Sequence, residues 1–154
     1  MVNIVCYCLN PNHFHFVLEQ TQEHGVSEFM KRLGCGYTNY FNIKYKRSGV
    51  LFQGKFKAAH IDSNKYLLHA SAYVNLNNRV HKIKNIASKS SWNEYTKTSC
   101  TKDSLCKKEI ILNQFRNRKE YKSFAENSLQ DILNRKQLAK ELGDLTWESD
   151  SQVS

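Results

Sequence analysis

A single proline, Pro11, and six glycines occur in the 154 residues. So little of either turn residue excludes collagen-like repeats and low-complexity linkers. No apolar run approaches the ~18 residues of a membrane span, and no charged stretch leading into an apolar segment opens the chain as in a signal peptide. Five cysteines (Cys6, Cys8, Cys35, Cys100 and Cys106) are an odd number without regular spacing. That argues against a disulfide framework and for reduced thiols in a cytoplasm. Acidic residues are also scarce: 14 Asp and Glu against 23 Lys and Arg leave a formal charge of +9 and a pI near 9.3. The excess favours a polyanionic partner, although a merely basic surface explains charge alone equally well.

What is present fits one domain with a real core. Residues 2 to 9, VNIVCYCL, are β-branched, aromatic and apolar and predict a strand. Asn10, Pro11 and Asn12 predict a turn, and residues 13 to 19 a second strand returning antiparallel to the first. Apolar residues at 26, 29, 30, 33, 37, 40 and 41 recur with helical period, with Ser27 as N-cap, a soft middle or close approach at Gly34 and Gly36, and a stop at Gly49. Residues 50 to 61 predict a strand interrupted by Gly54, and residues 63 to 79 a capped helix. The polar stretch from 82 to 105 reads as loop, 106 to 142 as helical, and the acidic last dozen residues as a fraying end. No internal repeat interrupts this order.

The unusual chemistry lies in NPNHFHFVLE, residues 10 to 19. Residues i and i+2 of a strand share a side, so His13 and His15 would stand together while Phe14 and Phe16 face away. Paired imidazoles are either an odd surface or half of a metal site. On the 63–79 helix, Tyr73 and Asn77 are four apart and share a face, with His69 one turn earlier. The plain alternative is a tyrosine that anchors the helix by its ring and leaves its hydroxyl in solvent. A different chemistry is a small structural zinc module of Cys6, Cys8, His13 and His15, provided the hairpin pairs residue 8 with 13 and 6 with 15.

Taken together, YCLNPNHFHFVL (7 to 18), SEFMKRL and YTNYFNIKYKRSGVLFQGKFKAAHID (27 to 62) and YLLHASAYVNLNNRV (66 to 80) resemble the REP-associated tyrosine transposases, a branch of the single-tyrosine HUH transposases. SSWNEY (90 to 95) and residues 107 to 124 match more weakly. The resemblance implies an α+β fold: a ferredoxin-like antiparallel sheet with helices on one face and a helical C-terminal extension. The catalytic domain is expected at 1–82, a loop and helical extension at 83–142, and an acidic, disordered tail at 143–154. Family members begin with a further strand and helix, so the catalytic domain is expected to be N-terminally truncated and its sheet to expose an edge. The family's proline after the helix asparagine is replaced by Asn78, and Gly34 and Gly36 stand where longer residues are usual.

The resemblance implies that His13 and His15 hold a divalent metal, Mg²⁺ or Mn²⁺, with Asn77 as a third ligand and Tyr73 as the nucleophile. His69 is a candidate for positioning the Tyr73 hydroxyl. The implied activity is cleavage and rejoining of single-stranded DNA at hairpin-bearing ends through a 5′-phosphotyrosine, with a second copy of the chain as a candidate partner. A relic that only binds DNA is the alternative. Lys31, Arg32, Lys44, Lys46, Arg47, Lys55 and Lys57 are the candidate phosphate contacts, the first five on or just after the first helix and the last two alternating onto one face of the 50–61 strand.

Overall fold

A computed structural model describes residues 1–83, 88–97 and 104–150, with 139–150 described as helix backbone alone. Strands β1 (Val2–Leu9) and β2 (Phe14–Gln20) form the expected antiparallel hairpin, and the Asn10 N–H closes its turn on the His13 carbonyl at 2.9 Å. The register shifts between Ile4 and Cys6, so that Val5 is the extra residue of a bulge. Beyond the bulge Cys6 faces Val17 and Cys8 faces His15.

This register corrects the zinc proposal, which required 8 opposite 13 and 6 opposite 15. Both thiols are instead fully buried in the core with Val17, Ala72, Leu76, Tyr95 and Tyr121. Burial foremost, with Cys106 nearby, pushes the Cys6 thiol well above its ordinary range, as suits a neutral packing group.

Helix α1 (Gly25–Tyr45) follows β2. Its N-cap is His24 in the left-handed region (φ 54°), not Ser27, which lies inside the helix. Gly25 is the close approach: a side chain there would collide with the Met1 carbonyl. Gly34 and Gly36 border open space, so no close neighbour among the described residues requires them. The helix ends at Lys46 (φ 50°), before Gly49.

The expected strand at 50–61 does not form. Gly49 (φ 93°) and Gly54 (φ 76°) turn the chain, and Asn42 and Arg47 hold the carbonyls of Gly49 and Val50 against the end of α1. An extended run without a ladder partner is not a strand.

Helix α2 (Asn64–Asn75) is capped by Ser63, whose hydroxyl accepts from the Tyr66 N–H. The expected single helix over 63–79 breaks at Leu76 (φ −110°, ψ 13°), and a short α3 (Asn77–Val80) resumes it. Asparagines at 75, 77 and 78 favour such a break, because their short amides prefer local and tertiary partners to helix continuity.

Part of the polar stretch expected as loop is structured. Strand β3 (Lys89–Ser90) pairs antiparallel with Cys8 and Leu9 of β1, giving the sheet order β2-β1-β3, and α4 (Trp92–Thr96) follows. Residues 84–87 and 98–103 of that stretch, with Cys100, lie outside the described residues. Helices α5 (Glu109–Leu112) and α6 (Arg118–Asp150) complete the α+β fold. Helix α6 covers 143–150 of the segment expected as a disordered tail, while 151–154 lie outside the described residues. No helix among the described residues is long and apolar enough to cross a membrane.

Helix α2 lies on the His13/His15 side of the hairpin, with α6 against it. Phe14 and Phe16 project to the other side, where Phe52 and Phe29 of α1 meet them at ring separations of 5.7 and 6.0 Å.

Candidate active site

Four residues expected to act together do come together. The Tyr73 ring stands edge-on to His15, with centroids 5.6 Å apart, and Asn77 Oδ1 lies 3.1 Å from His13 Nε2. Tyr73 on α2 lies against His15 one strand position inward, and Asn77, the first residue of α3 beyond the break at Leu76, lies against His13. The two imidazoles are 5.3 Å apart, centre to centre.

The tautomer of His13 follows from its neighbours. Its Nδ1 donates to Asn12 Oδ1 at 2.7 Å in the tautomer that leaves Nε2 free to accept from the Asn10 amide nitrogen at 2.9 Å. His15 is held below the usual histidine range, chiefly by desolvation and then by His13 and His81, which favours its neutral form. Two imidazoles and an amide oxygen form a donor set that fits a divalent cation. Among the described residues, no three His, Cys, Asp or Glu side chains are placed to share a metal, and the side-chain oxygen beside His13 is that of Asn77.

Asn10 and His81 were not legible as site residues. The Asn10 amide nitrogen donates to His13 Nε2 at 2.9 Å and to Asn77 Oδ1 at 2.8 Å, engaging both inward-facing acceptors. Its own Oδ1 accepts from Ser88 at 2.8 Å and from the Cys8 thiol at 3.6 Å, which fixes the amide's orientation. Asn77 then turns its oxygen to the site and leaves its fully buried Nδ2 without a partner. An orphaned buried amide costs roughly 1–3 kcal/mol, so the orientation of Asn77 is held against a local penalty. His81 sits edge-on to His13 at 5.0 Å, brought there by the short α3 after the break.

The helix that carries Tyr73 is locked from behind. Asn75, two residues after Tyr73, donates to the Tyr121 hydroxyl at 2.8 Å and accepts from Ser91 at 2.6 Å. The Ser91 hydroxyl in turn accepts from the Tyr7 N–H at 2.9 Å, and Ser71 meets Tyr121 at 3.3 Å. This buried network joins α2 to β1, α4 and α6 and fixes the rotation that aims Tyr73. Its sequence signal was weak: buried Asn and Ser look like surface residues until their partners are known.

The remaining candidates are more dispersed. His69 bonds Ser128 of α6 at 3.2 Å and packs on Phe124 at 5.2 Å, which ties it to α6. Lys31, Arg32, Lys44, Lys46, Arg47, Lys55 and Lys57 are all exposed. Arg32 is paired with Glu28 at 2.8 Å, and Arg47 is turned onto the Val50 carbonyl. Lys55 and Lys57 lie on irregular chain, so the strand alternation expected to align them is absent.

No curated protein and no solved structure matches the chain. The family described as "Transposase IS200 like" matches residues 1–77, a span that holds β1, β2, α1, α2 and the His13, His15, Tyr73 and Asn77 positions. With half of its length matched, and the matched half carrying the assembled site, the chain belongs to the IS200-like transposase family.

Proposed function

We propose that this chain cuts and rejoins single-stranded DNA at hairpin-bearing ends, with Tyr73 as nucleophile. The observation that carries the reading is the register of Tyr73 with His15 and of Asn77 with His13. The Tyr73 hydroxyl attacks the scissile phosphorus and forms a 5′-phosphotyrosine while the P–O3′ bond breaks. The phenolic proton leaves to water, to which half-buried Tyr73 is open, and the departing 3′ oxygen takes up a proton. A second 3′-hydroxyl reverses the step and joins strands, because the phosphotyrosine ester retains the energy of the broken bond.

His13, His15 and Asn77 are the residues that would hold a divalent metal, and the imidazole content suits Mn²⁺ better than Mg²⁺. Such an ion supplies charge stabilisation at the phosphate and the leaving oxygen. The exposed lysines and arginines of α1 and of 46–57 contact phosphates, so binding should weaken steeply with salt.

One observation favours the binding-only alternative. Asn10 already satisfies the lone pairs of His13 and Asn77, so the pair is stable without an ion. The readings separate on incubating the protein with Mn²⁺ and labelled hairpin DNA, then resolving it under denaturing conditions. The cleavage reading expects a labelled adduct that disappears in Tyr73→Phe with DNA binding unchanged. No adduct in the unmodified protein, with salt-sensitive binding retained, favours the binding-only alternative.

A further inference from the structure

From Phe29 to Ile61 the sequence contains no aspartate or glutamate, yet it carries seven lysines and arginines and seven phenylalanines and tyrosines. The structure places many of these aromatic rings on one exposed surface. Tyr37 lies 6.2 Å from Tyr40, from Phe41 and from Phe52, and Phe41 lies 4.4 Å from Tyr45. Tyr37, Tyr40 and Tyr45 are 47%, 55% and 57% exposed, and Phe52 is 40% exposed. Cations lie over the same rings: Lys44 is 5.6 Å from the centre of Tyr40 and 5.5 Å from that of Tyr45, and Arg47 is 5.6 Å from that of Phe41.

A hydrophobic surface awaiting a protein partner is normally short of charge at its centre. Here Lys44 stands over Tyr40 and Tyr45 and Arg47 over Phe41, and the sequence from Phe29 to Ile61 supplies no acid. That composition matches unpaired nucleobases on a phosphate chain: flat π faces for the rings and anionic oxygens for the ammonium and guanidinium groups. Duplex DNA offers its phosphates but not its base faces. Phe52 abuts Phe14, the residue between His13 and His15, at 5.7 Å, so the surface meets β2 on the side opposite the two histidines.

We infer that the aromatic and cationic face of α1 and the 46–56 segment is a stacking site for unpaired bases of single-stranded DNA, distinct from the residues that face the scissile phosphate. The site rests on the proposed single-strand activity and names where the flanking strand is held. It discriminates single strand from duplex by base stacking, while the lysines add affinity without sequence preference.

The test is anisotropy of a fluorescent unstructured 20-nucleotide thymidine strand in EDTA, where cleavage does not interfere. Its comparison is a strand of equal length and charge lacking bases. Tyr40→Ala/Tyr45→Ala is expected to weaken thymidine-strand binding about 10- to 100-fold while changing abasic-strand binding less than about threefold. Both side chains are exposed, so circular dichroism should report an intact fold. Tyr37→Ala/Phe52→Ala, measured beside it, is expected to act in the same direction.

Unchanged thymidine binding in both variants overturns the inference, as does equal weakening for both strands. Sedimentation showing a dimer that these substitutions dissociate also overturns it, by assigning the surface to a second copy of the chain. The adduct assay with Tyr73→Phe is independent of all these outcomes, so loss of the stacking site and loss of the cleavage reading remain distinguishable.

Discussion

Helices α1 and α2 are both amphipathic, and they are held in opposite ways. Helix α2 buries Ser71, Ala72, Val74 and Asn75 and is bonded through Ser71 and Asn75 to Tyr121 of α6 and to Ser91, the residue before α4. Helix α1, nearly twice as long, has Gly25 as its only buried residue. One helix aims a side chain with its rotation fixed; the other displays a broad surface. The difference suits the proposed chemistry at Tyr73 and the inferred capture along α1, since a reacting group needs placement within fractions of an ångström and a stacking platform does not.

Substitutions behind α2 should therefore destabilise the protein, while those on the outer face of α1 should leave stability alone. The largest loss is expected for Tyr121→Ala, which empties a fully buried ring site and strands the Asn75 amide, at about 3–5 kcal/mol. Urea denaturation measures it, and Tyr40→Ala serves as the contrast, expected to stay within ~0.5 kcal/mol. Asn75→Ala removes the shared partner of Tyr121 and Ser91 and should cost about 1–3 kcal/mol, with a matching drop in adduct yield as Tyr73 loses its aim. A loss of stability without any change in yield would separate the network from the site.

Smaller effects sharpen the comparison. Asn10→Ala frees the lone pairs of His13 and Asn77, and each net hydrogen bond is worth about 0.5–1.5 kcal/mol. Mn²⁺ affinity, followed by the free-ion electron paramagnetic resonance signal, should rise several-fold; a fall would mean that Asn10 organises the donors more than it competes for them. Gly34→Ala and Gly36→Ala meet no neighbouring atom within 4 Å and sit inside α1. Each should raise stability by up to ~1 kcal/mol, read as a shift of the urea midpoint.

Local signals in the sequence carried the hairpin, α1 and α2, while the meeting of Tyr73 and Asn77 with the two histidines was expected from the family resemblance. Alternation, apolar period and the Pro11 turn each act within a few residues. What escaped depended on distant partners. Strand β3 is two residues long and exists because Cys8 and Leu9 offer it an edge. The 50–61 run had strand composition but found no ladder, and two glycines with positive φ turned it aside. The break at Leu76 brought His81 to His13, a contact invisible to helical spacing drawn through one unbroken helix. Asn10 read as a turn residue, and its reach to Asn77 crosses 67 positions of chain.

The most direct test maps the covalent attachment. Protein incubated with Mn²⁺ and hairpin DNA is digested with nuclease and protease, and the nucleotide-bearing peptide is sequenced by mass spectrometry. The expected result is a nucleotide mass on Tyr73 alone, joined through the 5′ phosphate. Attachment to Tyr66 or another tyrosine, or an undiminished adduct in Tyr73→Phe, would contradict the assignment of Tyr73 and of the site built around it.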